Sequence, residues 1–267
     1  MVITESILLY NRIMKTLIIG NWKCNPTSQK EAKHIFDGIK RGVKNAKAEL
    51  VVCPPFLYLS ELKGLILGAQ NIFYKEKGAF TGEISAMMLK DLKVEYVIIG
   101  HSERRNYFAE TNEDINKKIK AAIETGLKPI FCVGENESED SEINSKNLNG
   151  AGKNAILENQ IKEGLAGISK LEIQNSKLVI AYEPVWAIGT GKNCSVDETM
   201  SAILLIRKII ANMYNREVAD GIRILYGGSV KSENSAGYIK EGGANGLLVG
   251  GASLIAEEFV KIVKSAE

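Results

Sequence analysis

The sequence predicts an α/β fold, a single (β/α)8 barrel around a parallel eight-stranded core. The first observation behind this prediction is a series of short runs that are almost continuously apolar and rich in β-branched residues. Parallel strands that are covered on both faces have this composition. The runs are Thr16–Ile19, Leu50–Cys53, Ala69–Ile72, Tyr96–Ile99, Ile130–Val133, Leu178–Tyr182, Ile222–Tyr226 and Gly246–Val249.

The second observation is that longer amphipathic stretches, typical of helices, separate these runs. They include Ser28–Val43, Asp114–Thr125 and Asp197–Tyr214. In the last of them, apolar residues at helical spacing form one face, and Arg207 and Lys208 lie on the other. Eight alternating strand–helix units in 267 residues fit one closed barrel better than two small doubly wound sheets.

The organisation of the chain indicates one domain. The prolines lie beside predicted strands and not inside predicted helices, and no Pro- or Ser-rich linker marks a boundary. We expect residues 1–13 to be a short N-terminal extension and residues 14–267 to form the barrel domain. The polar stretch 136–154 is predicted to be a surface elaboration without a catalytic role.

Charge and composition narrow the function. The chain has 34 Lys and Arg against 32 Asp and Glu, a net charge of +2, so we expect neither nucleic acid nor a membrane as partner. The four cysteines stand singly and the two histidines lie far apart, which fits neither a zinc module nor a disulfide framework. This pattern predicts a cytoplasmic protein with reduced cysteines and no metal site.

Polar side chains directly follow several of the predicted strands. Asn21 and Lys23 follow the first strand, His101 and Glu103 the fourth, and Glu183 the sixth. Because the active site of a parallel barrel lies at the C-terminal ends of its strands, a carboxylate, an imidazole and an ammonium group should meet on one rim.

Glycine-rich turns follow the last two strands, at Gly227–Ser229 and Gly250–Ser253. Loops in these two positions often bind phosphate in this fold, through exposed main-chain N–H groups. Together with the polar rim, they predict proton abstraction next to the carbonyl of a small phosphorylated compound. This chemistry requires no metal and no other cofactor.

Several longer motifs of the sequence resemble those of the triosephosphate isomerase family, from about Met14 to the end of the chain. These are GNWKCN (Gly20–Asn25), GAFTGEIS (Gly78–Ser85), IGHSERR (Ile99–Arg105), AYEPVWAIGTGK (Ala181–Lys192), YGGSV (Tyr226–Val230) and LVGGASL (Leu248–Leu254). The resemblance implies a TIM barrel without a cofactor that interconverts dihydroxyacetone phosphate and D-glyceraldehyde 3-phosphate in glycolysis and gluconeogenesis.

The resemblance also implies residue roles. Glu183 would be the base that moves a proton between C1 and C2, and His101 a neutral electrophile. The family is a known example of this division of acid–base roles. Lys23 would supply positive charge near the substrate, Asn21 would donate a hydrogen bond beside it, and Glu103 would support Lys23.

By the same resemblance, main-chain N–H groups of Gly189, Ser229, Gly250 and Gly251 would hold the phosphate. Residues from about Pro184 to Cys194 would close over the substrate as a lid. The loop around Gly78–Gly82 would insert Thr81 into a second subunit and so form a homodimer.

The sequence departs from the family pattern at three places. The stretch 136–154 is longer than usual, the end of the lid reads Asn193–Cys194, and Asn245 stands where an Asp is common. An ion pair of that Asp with Arg207 would therefore be missing.

Two other interpretations compete with the isomerase. A barrel enzyme for a different sugar phosphate would need a metal-ligand cluster, or a Schiff-base lysine on a strand inside the barrel, and the sequence presents neither. A catalytically inactive barrel scaffold should have lost at least one of Lys23, His101 and Glu183, and all three are present.

Overall fold

The structure, a computed structural model, describes residues 14–135, 151–187 and 194–267. Eight parallel strands pair in chain order into a closed barrel, with β8 pairing with β1, which confirms the predicted fold class. The strands are β1 Leu17–Asn21, β2 Glu49–Cys53, β3 Ile66–Ala69, β4 Tyr96–Ile99, β5 Lys128–Val133, β6 Val179–Tyr182, β7 Arg223–Tyr226 and β8 Gly246–Val249.

Helices surround the barrel. They are α1 Gln29–Gly42, α2 Ala86–Asp91, α3 Ser102–Phe108, α4 Asn112–Thr125, α5 Ala151–Gly164, α6 Lys170–Ser176, α7 Val196–Met213, α8 Arg216–Gly221, α9 Ser235–Lys240 and α10 Ala256–Ser265. Short 3-10 turns lie at Phe56–Tyr58, Val185–Ala187 and Gly251–Leu254.

The three helices used in the sequence argument lie within two residues of their predicted bounds, because side-chain caps fix where they begin. Ser28 caps α1, and Thr111 and Ser195 form capping boxes before α4 and α7.

The third strand was predicted wrongly. It was expected at Ala69–Ile72, although two of these four residues are polar, but β3 begins three residues earlier, where Ile66 pairs with Val51. Beyond Ala69 the chain leaves the ladder, and Ile72 packs in the outer core. Hydrophobicity shows that a segment is buried but not where its strand pairing ends.

The core has two layers, which explains why the strands are apolar on both faces. One set of strand residues, including Leu17, Ile98 and Leu225, fills the barrel interior. The residues that alternate with them, such as Ile18 and Ile180, pack against the helices. Closure of the sheet thus hides both faces of every strand.

A polar cluster lies at the N-terminal end of the barrel. Arg223 donates to Glu49 over 2.7 Å and to the Tyr96 hydroxyl over 2.9 Å, and that hydroxyl donates to Glu49 over 2.5 Å. Burial by itself would raise the pKa of Glu49, but the donors Tyr96 and Arg223 outweigh it and hold this pKa below its ordinary value.

Arg207 was predicted to lie opposite the apolar face of α7, but it is buried together with that face, beside Asn245, where the family pattern suggests an ion pair. Its guanidinium donates to the Asn245 amide oxygen over 2.8 Å and to the carbonyls of Ala219 and Ile222. Burial lowers the pKa of Arg207. An amide therefore takes the place of the expected carboxylate. It accepts a hydrogen bond from the guanidinium without balancing its charge, and Arg207 Nε has no hydrogen-bond partner among the described residues.

None of the helices within the described ranges is long and apolar enough to cross a membrane.

We predict that Glu49→Gln lowers the free energy of unfolding by about 2 kcal/mol at neutral pH, because Arg223 loses its carboxylate partner. The folded-state pKa of Glu49 is depressed, so its contribution is present above the unfolded pKa and disappears as the pH falls through the folded value. Denaturant unfolding of both proteins at neutral and acid pH measures this difference.

The matched control is Glu95→Gln, since Glu95 forms a 2.8 Å ion pair with Lys128 while its side chain is 48% exposed. We expect little change from this control. A Glu49→Gln difference that stays constant down to acid pH would contradict the linkage.

Candidate active site

A pocket of about 730 Å³ opens at the C-terminal ends of the strands. It brings together seven of the predicted site residues, namely Asn21, Lys23, His101, Glu183, Ser229, Gly250 and Gly251. Glu103 lies beside the pocket in contact with Lys23, and Thr81 lies outside it. Gly189 is outside the described residues.

Glu183 directly follows β6, and its side chain is only 2% exposed. Its Oε2 accepts a 2.9 Å hydrogen bond from the main-chain N–H of Ser102, the first residue of α3. Its Oε1 lies 3.2 Å from His101 Nε2 and accepts no hydrogen bond from the described residues. One carboxylate oxygen is thus anchored, and the other is buried and available to take a proton.

His101 precedes α3 as its N-cap residue. Its Nδ1 accepts a 3.2 Å hydrogen bond from the main-chain N–H of Glu103. A nitrogen that accepts such a bond carries no proton, so the proton of the ring lies on Nε2, the nitrogen nearest Glu183. The imidazole therefore presents a donor on the same side as the carboxylate.

Lys23 has a φ of 54°, in the left-handed region that is strained for a residue with a side chain. Its main chain is held on both sides. The N–H donates to Asn21 Oδ1 over 3.0 Å, and the carbonyl accepts from Gln70 Nε2 over 2.8 Å. The ammonium group lies 2.8 Å from a carboxylate oxygen of Glu103, so both the strained main chain and the charge have partners.

Gln70 was missed by the sequence analysis. It also donates to the carbonyl of Cys53, over 2.9 Å, and so joins the ends of β1 and β2. The only signal was its polarity, shared with Asn71, within the stretch predicted as the third strand.

The two glycine-rich turns border the pocket from one side. Asn234 donates to the carbonyl of Ser229 over 3.1 Å and accepts from the N–H of Lys231 over 2.8 Å, which fixes the turn after β7. Gly250 begins the turn after β8, and a Cβ there would lie 3.3 Å from the Lys23 side chain. Because Gly250 has no side chain, its main chain itself faces the pocket.

Gly134, just after β5, lies against the main chain of Glu183. A Cβ on Gly134 would lie 1.7 Å from the Glu183 carbonyl oxygen. Gln160 of α5 accepts from the Gly134 N–H and donates to the Gly134 carbonyl, each over 2.9 Å. The sequence analysis missed Gln160, because nothing in the surrounding ENQIKEG distinguishes it from a surface glutamine.

Among the described residues, the cysteines add no further functional group to the pocket. No disulfide joins the four cysteines Cys24, Cys53, Cys132 and Cys194, all of which lie within the described residues. Burial raises the pKa of Cys132, with the nearby Glu183 adding to the effect. Over the described part of the chain, no three or more His, Cys, Asp or Glu side chains are grouped to hold a metal ion. Of the two residues predicted to end a lid, Asn193 lies outside the described residues, and the Cys194 carbonyl accepts a 2.8 Å hydrogen bond from Tyr238.

Comparisons with known proteins agree with the motifs. A family profile described as triosephosphate isomerase matches residues 16–266. The triosephosphate isomerase of Caldanaerobacter subterraneus subsp. tengcongensis is 49% identical over 255 residues, which cover 93% of this chain and 98% of that protein. The triosephosphate isomerases of Clostridium botulinum (strain Langeland) and Dictyoglomus thermophilum are 48% and 46% identical, each over 94% of this chain and 99% of the relative.

A closed parallel barrel with a buried carboxylate, an imidazole and an ammonium group on its C-terminal rim defines an enzyme of the (β/α)8-barrel class. Within that class, the chain belongs to the triosephosphate isomerase family and is an isomerase.

We predict that Gly134→Ala lowers the free energy of unfolding by about 3 kcal/mol, because its Cβ would overlap the Glu183 main chain and force β5 and β6 apart. Gly221→Ala is the control, since a Cβ there meets open space near the end of α8. We expect that control to be neutral or slightly stabilising. Equal stability of the two variants by denaturant unfolding would show that the approach at Gly134 is looser than described.

Proposed function

We propose that this enzyme interconverts dihydroxyacetone phosphate and D-glyceraldehyde 3-phosphate through an enediolate. The observation that carries the proposal is the buried Oε1 of Glu183, which accepts no hydrogen bond from the described residues and lines the same pocket as His101 and Lys23. Membership of the triosephosphate isomerase family supports the choice of substrate.

In the proposed reaction, Glu183 removes a proton from C1 of the ketone, and the electrons of the C–H bond form a C1–C2 double bond. The C2 oxygen takes the resulting negative charge. Glu183 then returns its proton to C2, while the hydroxyl proton moves from O1 to O2 and leaves the aldehyde at C1. Atoms and electrons balance without an external oxidant or reductant.

His101 serves the oxygen atoms in this scheme. Its Nε2 carries the proton of the ring, because Nδ1 is occupied by the Glu103 N–H. It donates to the enediolate oxygen that carries charge and passes the proton between O1 and O2. Lys23 stabilises the same charge electrostatically, Asn21 donates beside it, and the 2.8 Å contact with Glu103 holds the ammonium in place.

The phosphate group would bind to main-chain N–H groups of Ser229, Gly250 and Gly251, which lie on the pocket wall. Gly189 would join them from the segment between Pro184 and Cys194, closing as a lid that keeps water from the enediolate. The proton transfers need neither a metal nor a cofactor.

We further propose a homodimer built on the loop 78–82. Thr81 is exposed, and so are the neighbouring apolar side chains of Phe80, Met87 and Met88. Exposed large apolar side chains close in sequence to the predicted contact residue favour an interface in this segment. The four cysteines form no disulfide, which fits the proposed cytoplasmic enzyme of glycolysis and gluconeogenesis. Residues 1–13 would be an extension of the barrel domain 14–267.

We predict that Glu183→Gln lowers kcat by a factor on the order of 10² to 10⁴, because an amide cannot take the proton. Turnover of glyceraldehyde 3-phosphate, coupled to a dehydrogenase that reports the ketone, measures this. The wild type should keep its activity with a chelator present. Glu124→Gln, at an exposed position of α4, serves as control; near wild-type turnover of Glu183→Gln would overturn the base assignment.

We predict that light scattering at micromolar concentration gives about twice the 29.2 kDa chain mass. Thr81→Arg should shift the protein toward the monomer by placing a charge in the interface. Leu171→Arg is the control, because Leu171 is also exposed but lies on α6, away from the loop 78–82 in sequence. A wild-type protein that stays monomeric would refute the dimer.

A further inference from the structure

We propose that Gln160 is a positioning residue for the Glu183 base and acts through the main chain of Gly134. This inference rests on the proposed function, in which Glu183 moves the substrate proton. Gln160 touches neither the substrate pocket nor the reacting atoms. Its effect passes through one residue, Gly134, that separates it from Glu183.

The side-chain amide of Gln160 binds both main-chain polar atoms of Gly134. Oε1 accepts from the N–H and Nε2 donates to the carbonyl, each over 2.9 Å. Gln160 is only 8% exposed, so water has little access to replace either bond. The pair fixes the two peptide groups on either side of Gly134 and therefore the direction of the chain as it leaves β5.

The main chain at Gly134 is in turn locked to that of Glu183. The Glu183 N–H donates to the Val133 carbonyl over 2.8 Å, and the Val185 N–H donates to the Glu135 carbonyl over 3.1 Å. Gly134 lies between these two hydrogen bonds. It is so close to the main chain of Glu183 that a Cβ added to Gly134 would lie 1.7 Å from the Glu183 carbonyl oxygen. Gly134 therefore has no room to shift unless Glu183 moves with it.

The position of the Glu183 main chain determines what its carboxylate reaches. The side chain is buried between the N–H of Ser102, at 2.9 Å, and His101 Nε2, at 3.2 Å. A displacement of a few tenths of an ångström changes both distances and the approach of Oε1 to a substrate carbon. Proton transfer is sensitive to such displacements, and a misplacement of about 1 Å can cost 10²-fold in rate.

The test is Gln160→Leu, which keeps a side chain of similar size and removes both hydrogen bonds. We expect kcat to fall roughly 10- to 100-fold while KM stays within about twofold, since the phosphate-binding turns are untouched. Because proton abstraction then becomes slower relative to the other steps, a substrate deuterated at the carbon that loses the proton should show a larger primary isotope effect on kcat.

Asn116→Leu is the matched control. Asn116 Nδ2 donates to the carbonyls of Gly164, over 2.9 Å, and Ala166, over 3.0 Å, near the C-terminal end of the helix that carries Gln160. The variant loses an amide that forms two hydrogen bonds with main-chain carbonyls, but it does not change the contacts of Gly134. We expect a comparable loss of thermal stability, with kcat and the isotope effect unchanged.

Gln160→Glu adds a readout in pH. A protonated carboxyl can accept from the Gly134 N–H and donate to its carbonyl, whereas a carboxylate can only accept. Burial raises the pKa of such a carboxyl. The ratio of its kcat to that of wild type should therefore rise toward one as the pH falls, and this series carries the test if Gln160→Leu does not fold.

The outcomes separate this proposal from the proposed function. If Glu183→Gln loses activity but Gln160→Leu keeps the wild-type kcat and isotope effect, the positioning role is wrong and the proposed function stands. A pH-independent kcat ratio for Gln160→Glu would also overturn it. If Glu183→Gln keeps the turnover of the wild type, the proposed role of Glu183 is wrong, and the positioning role that rests on it is wrong as well.

Discussion

Closure of the barrel between β8 and β1 is the constraint on which the rest of the structure depends. A Cβ on Gly246 would lie 1.8 Å from the Leu17 carbonyl oxygen, so the two strands meet only because this residue is glycine. Once the parallel sheet is closed, the C-terminal ends of all strands share one rim. Lys23, His101 and Glu183 are distant in sequence and meet for this reason.

The buried carboxylates at the two ends of the barrel differ in how many hydrogen-bond donors they have. At the N-terminal end, Glu49 is saturated by donors from Arg223 and Tyr96, an arrangement that favours a fixed structure. At the C-terminal rim, Glu183 has one oxygen anchored and the other without a donor among the described residues. An unsatisfied buried oxygen costs stability, and such groups are typical of sites where a ligand completes the contacts.

Much of the fold and most of the pocket could be predicted from the sequence, because apolar runs mark the strands and polar residues just beyond them mark the rim. β3 was misplaced because the end of a ladder depends on its partner strand, here on the pairing of Val51 with Ile66. Gln70 and Gln160 could not be predicted as site residues from the sequence. Each forms hydrogen bonds with the main chain of a residue distant in sequence, and such contacts exist only once the strands are in register.

The contact between Gln160 and Gly134 also bears on where this chain can change in length. Most of the polar stretch 136–154 precedes α5, which begins at Ala151, so extra residues there leave the register of the helix intact. A single residue inserted between Gln160 and Gly164, which packs closely against Phe131, would instead rotate the glutamine by about 100° around the helix axis, away from Gly134. Added length before α5 therefore leaves the contact with Gly134 in place, whereas added length between Gln160 and Gly164 breaks it.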